Sequence, residues 1–236
     1  MIKKRITIIG CSVALRVRPP SKNREENKNY GHLLEIKLNQ KTEQDWEINN
    51  LGLSRALTAD LLRMKDQIAR VHSDYIIINM GAVDAPSREI PVWYADKIFL
   101  RNGKYIQPLF IFFYRVLIKR FLRKPLVNLR LKRSWTPFRK FKRQYRKLLD
   151  FLLTDTSAKV IILGINPGNQ RIEKQLPKTL KKYKKYNDFL QKLAQEYKMS
   201  FVDFSDLISE EHFPDGVHYN AKGHQLVASR ISPHIQ

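Results

Sequence analysis

Lys4-Arg5-Ile6-Thr7-Ile8-Ile9-Gly10-Cys11-Ser12 is a run of β-branched residues closed by a glycine, with a serine two positions later. Such a run reads as a strand buried on both faces that stops at a tight turn. The same pattern returns along the chain. Residues 45–52 form an aromatic and β-branched stretch ending at Gly52, and 74–81 runs Asp-Tyr-Ile-Ile-Ile-Asn-Met-Gly. A fourth strand is expected at 158–166, broken by Pro167-Gly168, and a fifth at 199–204. Between them helical spacing appears at 54–71, with Ser54 as cap, at 145–153, at 176–197 and at 221–235, the last entered through Asn220. Phe189, Leu190 and Leu193 should face the sheet. Residues 18–29 are polar with two prolines and read as a loop. Strands alternating with helices predict an α/β fold of three layers, α/β/α, around a five-stranded parallel sheet. Right-handed crossovers bring all strand carboxyl ends to one edge, where such sheets place their ligands.

That edge collects Ser12, Gly52, residues 81–84, Asn166 and the turn Asp215-Gly216-Val217-His218. A carboxylate three residues from an imidazole on a Pro- and Gly-flanked turn is the orienting half of a nucleophilic triad, and Ser12 is the candidate nucleophile. The bland readings stand beside it: a solvated loop before a helix cap, and a serine that caps a helix.

At 236 residues with 43% apolar side chains the chain suffices for one large domain, and 1–236 is read as one. Cys11 is its only cysteine, which excludes an intrachain disulfide framework or a zinc site needing two thiolates. A reducing, cytoplasmic compartment is the natural expectation. The basic start followed by 6–10 is better explained by a first strand than by a signal peptide, and no uninterrupted run of about 18 apolar residues is present.

Taken together, Gly10-Cys11-Ser12, Asn50-Leu51-Gly52-Leu53-Ser54, Gly81-Ala82-Val83-Asp84 and Asp215-Gly216-Val217-His218, in that order, resemble the four blocks of the SGNH hydrolases, or GDSL esterases. The resemblance implies a flavodoxin-like SGNH fold and acyl transfer through Ser12, with His218 as base and Asp215 orienting it. It also implies an oxyanion hole from the backbone N–H groups of Ser12 and Gly52. Two positions depart from the pattern: Cys11 stands where the family has Asp, and Val83 where it has the oxyanion-binding Asn. Valine donates no hydrogen bond, and one lost oxyanion donor typically lowers turnover by about 100-fold to 1000-fold. Asp84 is expected to stabilise the loop rather than react, Cys11 to be a small buried residue, and His224 to be structural. His32, His72, His212 and His234 carry no supporting pattern. Neither cofactor nor metal is required by this chemistry.

The formal charge of +22 is concentrated: 101–150 holds sixteen Lys or Arg against Asp150 alone. From Arg101 to Lys147 these cations are interleaved with apolar residues, among them the run 109–122 and then Leu129, Leu131, Trp135, Phe138, Phe141 and Tyr145. Residues 98–150 are therefore read as a basic helical insertion. The composition suits an anionic membrane surface. Nucleic acid ranks below this, because the apolar run has no use in an RNA groove, and packing against the chain's own domain or a second copy is the bland alternative. Two functions follow. One is a serine esterase or acyltransferase for O-acyl groups of a carbohydrate or lipid-linked glycan, since a Gly-x-Val-Asp third block resembles members accompanying bacterial surface-polysaccharide synthesis. The other is a catalytically impaired binding protein that keeps the fold.

Overall fold

The computed structural model describes residues 3–99 and 111–235. Arg101, Lys104 and the first part of the apolar run, 109–110, lie outside them.

Five strands, β1 (Lys4–Gly10), β2 (Trp46–Asn50), β3 (Tyr75–Asn79), β4 (Lys159–Leu163) and β5 (Ser200–Val202), form one sheet in the order β2-β1-β3-β4-β5, every pair parallel. The chain thus runs outward from β1 to β2, crosses back to β3 and continues the other way. The topological switch falls between β1 and β3, where Gly10 pairs with Asn79, and that is where an open sheet forms its crevice. The central strands β1 and β3 have no water-facing side: Ile6, Ile8 and Ile9 are buried, as is every residue of β3. This is why they read as continuous apolar runs.

In chain order the helices are α1 (Tyr30–Lys41), α2 (Thr58–Arg63), α3 (Lys65–Ala69), α4 (Val92–Phe99), a π-helix (Tyr114–Leu122), α5 (Arg123–Leu129), α6 (Phe138–Asp155), α7 (Gln170–Gln175), α8 (Thr179–Glu196), α9 (Ser209–His212) and α10 (Ala221–Ile231). Helix α1 packs on α10, while α2 and α3 pack on α6. Crossovers of one hand that run in opposite directions along the sheet must lie on opposite faces, so these are the two outer layers. Helix α6 buries Phe141, Tyr145, Leu148, Leu149 and Leu152, a stripe at helical spacing. Its Phe141 meets Tyr186 of α8 at a ring separation of 4.7 Å.

Three expectations are corrected. The single helix expected over 54–71 is two short ones. Ser54 caps neither, since Arg55 takes a left-handed φ of 62° and the chain does not turn helical until Thr58. Met64, at φ −92° and ψ 4°, then breaks the run. Second, the helix expected over 145–153 begins seven residues earlier, at Phe138. Phe141 and Tyr145, expected at a membrane interface, are instead fully buried in the core, and Trp135 and Phe138 pack against it. Third, α1 falls in a stretch where no helix was expected. Its apolar positions Tyr30, Leu34 and Leu38 carry a weak periodicity, and its stability comes from burial against α10.

The returning end of the basic segment is stapled to the loop after β3. Ser87 and Ser134 form an isolated antiparallel bridge, the Arg88 N–H donates to the Arg133 carbonyl at 2.9 Å, and Trp135 Nε1 donates to Ile90 O at 2.9 Å. Lys182 of α8 reaches across to Ser87 Oγ (3.0 Å) and Ser134 Oγ (2.9 Å). Burial pushes the Lys182 ammonium down to about 8.

Candidate active site

Ser12 follows β1 and begins a 3-10 turn, Ser12–Ala14, without capping it. Its neighbours Cys11 and Val13 are buried, so the serine is the one side chain of the turn held partly open. Burial pushes the Cys11 thiol up to about 11, which makes it an inert packing group.

The turn carrying the histidine is fixed at both ends by buried rings, Phe213 and Tyr219. Gly216 sits between them at φ +85°, where a Cβ would lie 2.4 Å from Asn169 Oδ1. Asp215 Oδ1 accepts the N–H groups of Val217 (2.8 Å) and His218 (2.7 Å), and its Oδ2 accepts from His218 Nδ1 at 2.8 Å. One carboxylate therefore sets both the backbone of the turn and the ring that it presents. Burial raises the Asp215 pKa, but the hydrogen bonds from the His218 ring and backbone outweigh it and hold the group below the usual carboxylate range. It stays ionised and fixes the proton on Nδ1, leaving Nε2 as the base. That nitrogen lies 2.9 Å from Ser12 Oγ, across 206 residues of sequence.

Ser12, His218 and Asp215 thus meet as the sequence predicts. Among the described residues the Ser12 N–H makes no hydrogen bond to backbone or side chain. The Gly52 N–H, by contrast, donates to Asn50 Oδ1 at 3.0 Å, while Asn50 Nδ2 holds the Ala14 carbonyl at 2.8 Å. Asn50 ties the second block to the serine turn, and Gly52 serves an oxyanion only by leaving that bond. Val83 is buried, and its carbonyl accepts from Arg88 Nη2 at 2.9 Å.

Asp84 is fully buried and accepts the N–H of Thr58 (3.1 Å) and its Oγ1 (3.1 Å), holding the start of α2 against the third block. Burial pushes its carboxyl up to about 6, against the hydrogen bonds of Thr136 and Thr58. Its place is structural. So is that of His224, whose Nδ1 accepts the Tyr30 N–H at 3.1 Å while Nε2 faces the Arg16 carbonyl at 3.2 Å; burial pushes it down to about 4.

The role of Asn166 was not predicted beyond its position at the sheet edge. Its Nδ2 donates to Val217 O at 2.7 Å and so clamps the histidine turn to the end of β4. Asn50 was missed too. Both lie at or just past strand ends, and Asn50 also opens the second of the four blocks, but neither signal names the partner of the side chain. Two openings touch these loops. One, of ≈ 690 Å³, is walled by Leu53, Leu57, Val92, Ala95, Trp135 and Thr136 beside the Gly52 loop. The other, of ≈ 860 Å³, borders Asp215 and is rimmed by Arg16, Arg18 and Arg171. Among the described residues no three His, Cys, Asp or Glu side chains cluster to hold a metal ion.

The sequence model of the GDSL-like lipase/acylhydrolase family matches residues 8–226. The chain belongs to that family. Its fold is that of solved SGNH hydrolases. A lipase/acylhydrolase from Enterococcus faecalis is 14% identical, with a TM-score of 0.65 over 98% of this chain and 95% of that one. A catalytic mutant of an acetylxylan esterase from Geobacillus stearothermophilus is 17% identical, with a TM-score of 0.62 over 98% and 94%. A further acetyl xylan esterase is 17% identical, with a TM-score of 0.63 over 98% and 100%. No curated protein matches the chain by sequence. As a family member the chain is of the esterase type.

Proposed function

We propose that this family member is a serine esterase or acyltransferase acting on O-acyl groups of a carbohydrate, including a lipid-linked glycan, through Ser12, His218 and Asp215. The observation that carries this reading is the unbroken relay from Ser12 Oγ through His218 to Asp215, with spacings of 2.9 and 2.8 Å. His218 Nε2 takes the serine proton as Oγ bonds the acyl carbon, and the carbonyl electron pair moves to oxygen. Collapse of that intermediate breaks the bond to the alcohol, which leaves with the proton from Nε2. Water, or a second hydroxyl in transfer, then attacks the acyl-serine with the same histidine as base. In this reading the Ser12 N–H serves as oxyanion donor, and Gly52 joins it when its bond to Asn50 is released.

The carbohydrate part is supported by the acetylxylan esterases of the same fold, one of which is represented by catalytic mutants of a serine, an aspartate and a histidine. The arginine-rimmed opening beside Asp215 suits the phosphate of a lipid-linked glycan. A role in surface-polysaccharide synthesis on the cytoplasmic side is consistent with both. The competing reading, a binding protein that has lost turnover, is favoured by Val83 and by the engaged Gly52 N–H. A serine-directed fluorophosphonate separates the two. Labelling of the wild type, lost in Ser12→Ala together with at least about 10³-fold of p-nitrophenyl acetate hydrolysis, is the expected result; an unlabelled wild type would establish the binding protein instead.

A further inference from the structure

The helical stretch from Ile111 through Leu122 is apolar on both sides. Its inner side packs Ile111, Tyr114 and Ile118 onto Ile90, Ala95 and Trp135. Tyr114 Oη donates to the buried Glu89 at 2.6 Å, and Arg123 Nε lies 3.3 Å from the same carboxylate. The inner side is therefore anchored to the loop after β3. The outer side carries Phe112, Phe113, Val116, Leu117, Phe121 and Leu122, all exposed, with Phe112 at 61% and Phe121 at 63%. A helix on the surface of a soluble domain turns polar residues outward. Six large apolar side chains within eleven residues form instead an exposed patch of the kind that marks an interaction site.

The charges around the patch decide its partner. Lys119, Arg120 and Lys124 are exposed beside it, and no acid occurs anywhere from 111 to 149. A second copy of a chain carrying +22 would bring like charges together at this face. An RNA groove has no use for Val116, Leu117 and Leu122. An anionic lipid surface takes both halves: rings and aliphatic chains enter the headgroup–acyl boundary while the ammonium and guanidinium groups remain among the phosphates. Among the described residues no helix is long and apolar enough to cross a membrane, so the helix would lie in the interface.

We propose that the outer face of the helix from Phe112 to Leu122 docks this protein onto an anionic lipid bilayer, with Phe112, Phe113 and Phe121 inserted and Lys119, Arg120 and Lys124 on the headgroups. Docking does not depend on the esterase reading. Its consequence does: the same segment returns through Trp135, a wall of the opening beside the Gly52 loop, so docking brings that opening to the lipid surface where a lipid-linked glycan presents its sugars.

The test is co-sedimentation of the full chain with phosphatidylcholine vesicles, with and without about one-third phosphatidylglycerol. Each cation close to such a surface strengthens partitioning about fivefold, so the anionic vesicles should be strongly preferred and high salt should weaken binding. Phe112→Gln/Phe121→Gln and, separately, Lys119→Glu/Arg120→Glu should each lower partitioning at least tenfold. Both should leave the melting temperature and the hydrolysis of soluble p-nitrophenyl acetate unchanged, since these side chains are exposed and far from the triad in sequence. Failure of the wild type to bind anionic vesicles would overturn the proposal. So would binding undiminished in Phe112→Gln/Phe121→Gln, self-association abolished by that variant in place of vesicle binding, or salt-sensitive RNA binding with indifference to lipid. A vesicle-binding protein that hydrolyses no ester would leave docking standing and the esterase reading refuted.

Discussion

The Ser12–His218 contact joins residues 206 apart in sequence, while Asp215 and His218 hold each other within one turn; the weak point of the proposed chemistry is Val83. Its side chain donates no hydrogen bond, and the Gly52 N–H is engaged with Asn50. Val83→Asn is therefore expected to raise turnover by on the order of 100-fold with little change in KM, because the new donor acts mainly on the oxyanion. Steady-state kinetics on p-nitrophenyl acetate reads this directly, and an unchanged kcat would show that Asn at this position is not aimed at the reacting carbonyl. Gly216 makes the opposite case. At φ +85°, with Asn169 Oδ1 where a Cβ would stand, Gly216→Ala should cost at least about 1–2 kcal/mol of stability. It should also lower kcat, since the displaced backbone is the one that Asp215 and His218 share.

At the scale of elements, the turn and the last helix act as one unit. Asn220 accepts the Gly223 N–H at 2.9 Å as the cap of α10 and donates to Glu211 O at 2.7 Å. Asn220→Ala is expected to destabilise the protein by about 1 kcal/mol, seen as a lower urea midpoint at constant slope. An unaltered midpoint would mean that the packing of Tyr219 and Val227 alone holds the junction. The strands were legible because burial on both faces leaves an unmixed apolar run closed by glycine. The short helices were not, for a physical reason. The start of helix α2 is held by Asp60, three residues from Leu57, and also by Asp84, a carboxylate 26 residues from Thr58, and no local pattern around Ser54 records that second bond. In the basic segment, sequence spacing could not separate Phe141 and Tyr145, which α6 turns into the core, from Phe112 and Phe121, which face out.

For the whole molecule, two buried titratable groups oppose each other. Asp84, lifted to about 6, holds its proton more tightly in the folded state than in the unfolded one. Its contribution is full below the ordinary carboxylate value and lost as pH rises through about 6. His224, pushed down to about 4, resists charging in the folded state. Its contribution is present above about 6.5 and lost as pH falls through about 4. The two slopes have opposite sign in one window. Asp84→Asn should leave the histidine slope uncovered, so that stability falls on acidification from pH 6.5 to 4 by up to about 1.4 kcal/mol per pH unit more than in the wild type. Urea denaturation across that range measures the difference, and parallel curves for variant and wild type would exclude it.

The sequence by itself determined the alternation of strands and helices, the parallel sheet, the Ser12, Asp215 and His218 candidates and the local origin of the charge. Each of these is written in short-range pattern: apolar runs, glycine stops, a three-residue spacing and a block of cations. The tertiary structure alone decided that Ser12 meets His218 across 206 residues, that Asn50 reaches the Ala14 carbonyl, that Asn166 clamps the histidine turn, and which rings of the basic segment face out. Those depend on strand order and on which face of a helix is covered. Such properties arise only when elements far apart in the chain pack together.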